Sequence, residues 1–391
     1  MTVLAGVQVL ELGGFISGPY AGQLLAEMGA DVVKIEPPKG GDPFRSFGDA
    51  GYSPQFCAYN RHKRSVALDL AQPAGQAALR RLAARADVML DNMRPGVLAR
   101  LGLGDAALVA LNPRLIRSSL TGFGATGPLS RQPAYDTVAM ARGGLMSQLL
   151  DPAHPAITGP AMADAISGLY TAQGILGALF ERERTGRGRR VEVAMTEAVS
   201  AFATEPFSTY LQTGRVPGPY DRAAVSQSYV LICADRLRIG LHLSSPEKFW
   251  TQALAALGRP ALAADPRFET RALRVANHAA LAGALGEAVR TQPRAHWLTR
   301  LAEHDVPHAP VHDLADAVAD PQAVHLGTFT TTHHLVHGPV RGVAGPIRYD
   351  GERGEPGRPP PGLGEHTAAV LAEAGLAPPE IEALFAAGAA A

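Results

Sequence analysis

The sequence is poor in cysteine, in excess charge and in uninterrupted apolar runs. Its two cysteines, Cys57 and Cys233, form no metal-ligand spacing, which predicts free thiols in a reducing cytoplasm. A formal net charge of +0 argues against nucleic acid or an anionic membrane as a partner held by bulk electrostatics. The apolar stretch Ile166–Phe180 is broken by Ser167 and Gln173, so it predicts a buried helix. No basic segment followed by a cleavable apolar run opens the chain, and we therefore expect a cytoplasmic protein.

Lysine is also scarce, since only four of the 36 basic residues are lysines. Any anionic ligand must therefore be met by a few local cations. Hydrophobic residues make up 46% of the 391 positions and charged residues 18%, which is typical of a globular protein with one large core or two domains.

The first 120 residues alternate strand and helix patterns. This alternation predicts an α/β fold with a Rossmann-like, doubly wound parallel sheet, whose ligands would lie at the carboxyl ends of the strands. The predicted strands are Val7–Leu12, Asp31–Ile35, Val66–Asp69, Val88–Leu90 and Leu115–Leu120, with helices at Tyr20–Met28 and Ala74–Ala86. A long helical pattern follows Asp164.

The amino-acid composition of the chain changes after Thr213. Residues 214–225 begin with Gly214–Pro219 and have the composition of a linker. We predict a large domain from residues 1–213 and 330–391, and a smaller α+β domain from residues 226–329. Gly338–Tyr349 is predicted to cross back to the large domain.

Two glycine-rich segments are candidate nucleotide-binding sites. Gly122–Gly127 fits G-x-G-x-x-G after a strand, but Pro128 and Pro133 follow where a helix should begin, so the match is interpreted as accidental. The turn Gly13–Gly18 has the wrong glycine spacing for a dinucleotide, although Glu36 stands where a ribose-binding acid would.

Two groups of histidines are candidate metal-binding sites. His304, His308 and His312 recur every four residues, but intervening prolines break the helix that would align them. His333, His334 and His337 lack a fourth ligand. We therefore expect no metal.

Two polar segments could hold a phosphorylated ligand. Arg61, Lys63 and Arg64 form a compact basic group, which is either a solvated charge run or a phosphate-binding cluster. Asn92–Gly96 follows a predicted strand at the ligand-binding edge of the sheet, and Pro95 also suits the first turn of a helix.

Asp164 is the candidate catalytic residue. An aspartate at a helix start is commonly an N-cap, which is the alternative role here. However, Gly168 and Ala172 leave room beside the helix, and a helix amino terminus favours the carboxylate anion. A carboxylate nucleophile attacking a thioester would divide the exchange into easier steps through a mixed anhydride.

The chain contains a series of short segments whose order along the sequence resembles that of the family III CoA-transferases. This group contains formyl-CoA transferase and carnitine CoA-transferase. The resemblance covers nearly the whole chain and rests on the ordered set. Its parts are Gly18-Pro19, Gly29–Glu36, Lys63-Arg64-Ser65, Arg94–Leu98, Gly122–Gly124 with Gly127-Pro128, Tyr135-Asp136, Asp164, Gly186–Gly188 and Leu363–Thr367.

The resemblance implies an interlocked homodimer that uses acyl-CoA and a carboxylic acid as substrates, with no permanently bound cofactor. It implies that Asp164 is the nucleophile, forming an aspartyl-acyl anhydride and an aspartyl-CoA thioester. The CoA-contacting positions that it implies are Ile16, Lys63, Asn92, Met93, Arg94, Val97, Arg100, Leu101, Tyr135 and Met195.

Two departures limit the assignment of a substrate. Ile16 stands where formyl-CoA transferase carries glutamine, which puts an oxalate-like acceptor in doubt. The segment Leu241–Pro246 has Ser244 and Ser245 in place of a glycine-rich loop.

Two other functions stay open. An α-methylacyl-CoA racemase would share the fold and the aspartate, but its histidine position is Tyr135 here, and a group with a pKa near 10 is a poor base at neutral pH. A non-catalytic CoA-binding protein is the third possibility.

Overall fold

The computed structural model describes residues 3–47, 51–244, 247–354 and 357–391. Contacts divide the chain into two compact units: Met1–Met146, Ile157–Ser208 and Gln322–Ala391 form the first, and Ser147–Ala156 with Thr209–Pro321 form the second. The domain limits expected from the sequence stay a prediction. None of the helices in the described ranges combines the length and the apolar composition that crossing a bilayer requires.

The first unit is built on parallel strands joined by helices. Its elements up to the second unit are β1 Gln8–Leu12, α1 Ser17–Glu27, β2 Asp31–Glu36, α2 Pro54–Tyr59, β3 Arg64–Ala67, α3 Pro73–Ala83, β4 Val88–Asp91, α4 Val97–Arg100, α5 Asp105–Leu111, β5 Ile116–Thr121, α6 Asp136–Arg142, α7 Met162–Thr185, β6 Arg190–Ala194, α8 Met195–Phe202 and α9 Thr204–Thr213. Short 3₁₀ helices lie at Pro43–Phe47 and Leu145–Gln148.

The second unit contains a three-stranded antiparallel sheet of order β7-β8-β9 and several helices around one apolar core. Its elements are α10 Asp221–Val225, β7 Ser228–Ile232, β8 Arg238–His242, α11 Lys248–Ala256, a 3₁₀ helix at Pro260–Ala264, α12 Arg271–Ala276, α13 His278–Val289, α14 Arg294–Glu303, β9 His308–Pro310 and α15 Leu314–Ala319. The chain then continues through α16 Pro321–His325, β10 Phe329–His334, β11 Gly338–Val343, α17 Thr367–Glu373 and α18 Pro378–Ala386.

The six-stranded sheet of the first unit has the order β3-β2-β1-β4-β5-β6, and every pair is parallel. β1 lies between β2 and β4, so the strand order reverses there. Such a reversal opens a crevice at the carboxyl ends of the strands. The predicted α/β class with a parallel sheet is therefore confirmed.

Both faces of this sheet are covered by apolar side chains, as parallel strands require. One face carries Leu10, Val33 and Met89 and packs against α3, α17 and α18, and the other carries Val9 and Val32 and packs against α1 and α7. A Cβ on Gly168 would lie 3.0 Å from the Ser17 carbonyl oxygen and from the Tyr20 ring. The glycine therefore allows α7 to approach the start of α1.

Two elements differ from the sequence-based expectation. β6 was not predicted, because its sequence is charged and lies at the edge of the sheet. Gly338–Tyr349 was expected to be a crossing, but β11 forms an antiparallel hairpin with β10. Of the segment Leu241–Pro246, which lacks a glycine-rich loop, Ser245 and Pro246 lie outside the described residues.

Candidate active site

The turn between β1 and α1 is held from the side by Asn92, which follows β4. The Asn92 side chain accepts from the Gly14 amide at 3.1 Å and donates to the Gly14 carbonyl at 2.9 Å and to Ser17 Oγ at 3.2 Å. Phe15 has a φ of 63°, a left-handed value that is uncommon for a non-glycine residue. Asn92 therefore holds the turn in a conformation that it would not otherwise favour.

Asp164 is the third residue of α7, and its carboxylate does not cap the helix. Asp136, the first residue of α6, does so: its Oδ1 accepts from the Ala163 amide at 2.6 Å and from the Asp164 amide at 3.2 Å. Ala161 occupies the N-cap position and offers no side-chain acceptor. The N-cap role weighed for Asp164 therefore belongs to another residue, and the Asp164 side chain is left for other contacts.

The Asp164 carboxyl accepts a hydrogen bond from the Ser17 hydroxyl, which Asn92 in turn contacts. Burial, followed by the charge of the Asp136 carboxylate, raises the pKa of Asp164 to about 7, and the hydrogen bond from Ser17 opposes this rise. A carboxyl with such a pKa is a mixture of acid and anion at neutral pH. Perturbed groups of this kind are concentrated at functional sites.

Aromatic rings lie around the same turn. The Phe15 ring makes edge contacts with Phe44 at 5.4 Å and with Tyr135 at 5.8 Å between centroids. Tyr59 stacks on Phe44 at 6.3 Å, and burial followed by the charge of Asp164 raises its pKa. The polar turn and the carboxyl therefore stand beside an aromatic surface, of which Tyr135 is 64% exposed.

The structure brings together several of the predicted CoA contacts at this edge of the sheet. Ile16 is in the β1–α1 turn, Asn92 bonds to that turn, and Tyr135 packs on Phe15. The remaining predicted positions after β4 are Met93, Arg94, Val97, Arg100 and Leu101, of which the two arginines are exposed and Met93 and Leu101 are partly packed on the core.

Lys63 does not lie at the surface, which corrects the expectation that it meets a nucleotide. Its side chain is fully buried, and its ammonium contacts Glu11 Oε2 at 2.7 Å, Asn60 Oδ1 at 2.9 Å and the Pro19 carbonyl at 2.8 Å. The ammonium thus donates two hydrogen bonds, to Asn60 and Pro19, and forms an ion pair with Glu11. Lys63 therefore binds the first turn of α1 through the Pro19 carbonyl, and its buried ammonium is not exposed to a phosphate.

Met195 also requires a correction. It is the first residue of α8 and is only 4% exposed, among Leu120, Ala139 and Val199. Its thioether is part of the core and is not presented to a ligand in this chain.

Glu36, Gly122–Gly127 and the histidine groups are the other motifs considered as ligand sites. Glu36 accepts two bonds of 2.7 Å from Arg45, so its carboxylate is not available to a ribose. No helix begins within Gly122–Gly127, as expected. Among residues 3–47, 51–244, 247–354 and 357–391, no group of three or more histidine, cysteine or acidic side chains is arranged to hold a metal.

Sequence reasoning missed two residues that contact or cap this site. Ser17 was part of the turn Gly13–Gly18 without a role of its own, and Asp136 was quoted only as part of the resemblance. Both roles depend on partners that are distant in the sequence: Ser17 is 147 residues from Asp164, and Asp136 is 27 residues from Ala163.

Comparison with known proteins gives a consistent result along nearly the whole chain. The model of CoA-transferase family III matches residues 4–367. The chain is 34% identical to acetyl-CoA:oxalate CoA-transferase of Acetobacter aceti, over 94% of this chain and 95% of that protein. It is 35% identical to succinate–glutarate CoA-transferase of Agrobacterium fabrum, over 95% of each.

Solved structures agree with these matches. A crystal structure of a CAIB/BAIF family protein from Brucella suis superposes with a TM-score of 0.85 at 35% identity, covering 95% of this chain and 99% of that one.

Proposed function

Because this chain belongs to CoA-transferase family III, we propose that it moves CoA from an acyl-CoA to a carboxylic acid through covalent intermediates on Asp164. The proposal rests on one observation: at the start of α7, the carboxyl that caps the helix is not the carboxyl proposed as the nucleophile. Asp136 caps the helix amides, and Asp164 keeps a carboxyl whose described side-chain partner is the Ser17 hydroxyl. A carboxylate held in this way can act as a nucleophile.

The proposed chemistry has four steps, each of which exchanges one acyl bond for another. The Asp164 carboxylate attacks the thioester, so that the C–S bond breaks, CoA leaves as a thiolate and an aspartyl-acyl anhydride forms. The thiolate then attacks the aspartyl carbonyl, releasing the first acid and leaving an aspartyl-CoA thioester. The second carboxylate displaces CoA to form a new anhydride. Thiolate attack on its acyl carbonyl gives the new acyl-CoA and restores Asp164.

For CoA, we propose the edge formed by the β1–α1 turn and the turn after β4. The supporting features are the exposed guanidinium groups of Arg94 and Arg100 and the aromatic surface at Tyr135. Guanidinium groups suit phosphates because they donate in a planar fork. Lys63 and Met195 are left out of this proposal because both side chains are buried.

The test is intact-protein mass spectrometry after incubation with succinyl-CoA or acetyl-CoA, followed by hydroxylamine. We expect an acyl or CoA adduct that hydroxylamine converts to a hydroxamate at Asp164. The absence of any adduct, together with deuterium from solvent entering the α-carbon of a 2-methylacyl-CoA, would instead indicate a racemase.

The pH dependence of transfer tests the state of the Asp164 carboxyl. Since burial raises its pKa to about 7, the nucleophilic anion is depleted as the pH falls. We expect kcat/KM to decrease about tenfold per pH unit below the midpoint and to level off above it. The measurement is kcat/KM across the pH range in which the protein stays folded.

The variant Asp136→Asn tests whether the charge of Asp136 contributes to the raised pKa of Asp164. The asparagine oxygen can still accept from the amides of Ala163 and Asp164, but the negative charge that raises the pKa of Asp164 is gone. We expect the midpoint to move to lower pH. An unchanged or higher midpoint would contradict the proposed coupling of the two carboxyls.

We also propose that the chain forms an interlocked homodimer. The turn between β10 and β11 exposes Leu335 completely and Val336 by 82%. A groove of about 1480 Å³ in the first unit is lined by α1, α7 and the segment after β11. Light scattering after gel filtration should give twice the chain mass, and a monomer at micromolar concentration would contradict the proposal.

A further inference from the structure

A second cavity, separate from Asp164, lies where the chain crosses from β4 to β5. Its volume is about 350 Å³, and it is lined by the ends of both strands and by the start of α5. The strand register places Met89 beside Arg117 and Arg117 beside Arg190, so these side chains share one face of the sheet. The cavity therefore lies over this face of β4 and β5, beneath the α4–α5 crossover that joins the two strands.

Three arginines line this cavity, and their charges are incompletely paired. Arg190 contacts Glu192 at 2.7 Å, whereas Arg94 has no ion pair with any described residue. Arg117 Nη1 is paired with Asp105 Oδ1 at 3.0 Å, whereas the buried Nε of Arg117 has no hydrogen-bond acceptor in the described part of the chain. Buried donors without acceptors are costly, so a partner is expected there.

Asp91 also lines the cavity, and it neutralises less of the arginines' positive charge than a fully ionised carboxylate would. Asp91, the last residue of β4, is 5% exposed and accepts from the Met93 amide at 3.0 Å. Burial raises the pKa of Asp91 to about 7. A large fraction of this carboxyl is therefore neutral at physiological pH, and it can then donate a hydrogen bond.

We propose that this cavity is a binding site for a small oxyanion, a carboxylate or a phosphate, held chiefly by Arg117 with Arg190. The ion pairs with Asp105 and Glu192 engage Arg117 Nη1 and Arg190, but they leave the buried Nε of Arg117 without a partner among the described residues. Both a carboxylate and a phosphate offer two oxygens that can accept from one guanidinium group. The volume suits a molecule of metabolite size.

The test is isothermal titration of the full chain with inorganic phosphate, acetate and succinate in separate arms. The variants are Arg117→Gln and Arg190→Gln, and the control is Arg187→Gln, an exposed arginine near β6 that does not line the cavity. We expect at least one anion to bind, with affinity reduced about tenfold or more in both cavity variants and unchanged in the control.

Each titration is repeated with saturating CoA, to separate this cavity from a site for the phosphates of CoA. Binding that persists with CoA and is weakened by Arg190→Gln supports the proposal, and this variant decides if Arg117→Gln fails to fold. The identity of the anion that binds distinguishes carboxylate from phosphate. The proposal is overturned if no anion binds, if neither cavity variant weakens binding, or if saturating CoA abolishes binding.

Discussion

Asp164→Asn is expected to reduce CoA transfer by roughly 10³-fold or more while the folded structure and CoA binding are retained. The amide cannot form the anhydride, because its nitrogen and oxygen are weak nucleophiles at neutral pH. The fold should tolerate the change, since Asp136 and not Asp164 accepts from the first amides of α7. Initial rates with an active acyl-CoA and acid pair, together with a CoA titration, measure both effects.

Asp316→Asn is the matched control for this variant. Asp316 is the third residue of α15, as Asp164 is of α7, but its side chain is exposed. The control should keep full activity. It removes an aspartate from the first turn of a helix without removing the proposed nucleophile, so it separates the two effects. An Asp164→Asn protein that keeps a tenth or more of the activity would contradict the covalent route, and one that loses CoA binding would indicate a role in substrate affinity.

The parallel sheet could be predicted because buried strands and amphipathic helices leave local patterns. Val7–Leu12 and Val88–Leu90 were placed to within about one residue, since both are apolar on the two faces of the sheet. β6 could not be predicted in this way. Its sequence is Arg190–Ala194, and its pairing with β5 depends on the length and direction of α7, which no local pattern records.

At the candidate site, the sequence predicted which turns lie together but not the direction of every side chain. Asn92 and Asp164 lie where the pattern placed them, next to the β1–α1 turn and at the start of α7. Lys63 follows the same logic by sequence, yet it turns inward because Glu11, 52 residues away, provides a buried carboxylate. Burial is a property of the assembled fold, so a basic residue near a strand end does not reveal by itself whether it faces solvent.

Glu11→Gln is expected to cause the largest loss of stability, about 3–5 kcal/mol in the free energy of unfolding. The Glu11 carboxylate is fully buried and contacts Lys34 at 2.9 Å and Lys63 at 2.7 Å. Lys34 retains Asp42 at 2.8 Å, but Lys63 has no other carboxylate within salt-bridge distance among the described residues. The variant therefore leaves a buried ammonium that only Asn60 and the Pro19 carbonyl contact.

The pH dependence of this loss identifies its cause. Burial lowers the pKa of Lys63 from its ordinary 10.5 to about 8, even though Glu11 raises it. Because the folded protein binds this proton less tightly than the unfolded chain, stability falls as the pH decreases from 10.5 to about 8. Without Glu11 the pKa of Lys63 drops further, so the variant should go on losing stability below pH 8, where the contribution of Lys63 in the original protein has levelled off.

Urea unfolding at several pH values and one protein concentration measures both effects. Glu287→Gln is the control, because Glu287 is exposed on α13 and has no ion pair with a described residue. The difference between Glu11→Gln and the original protein should be larger at pH 7 than at pH 9, and the control should show almost none. A small, pH-independent difference, accompanied by weaker CoA binding, would mean that Lys63 faces the ligand and that its buried pair with Glu11 does not stabilise the fold.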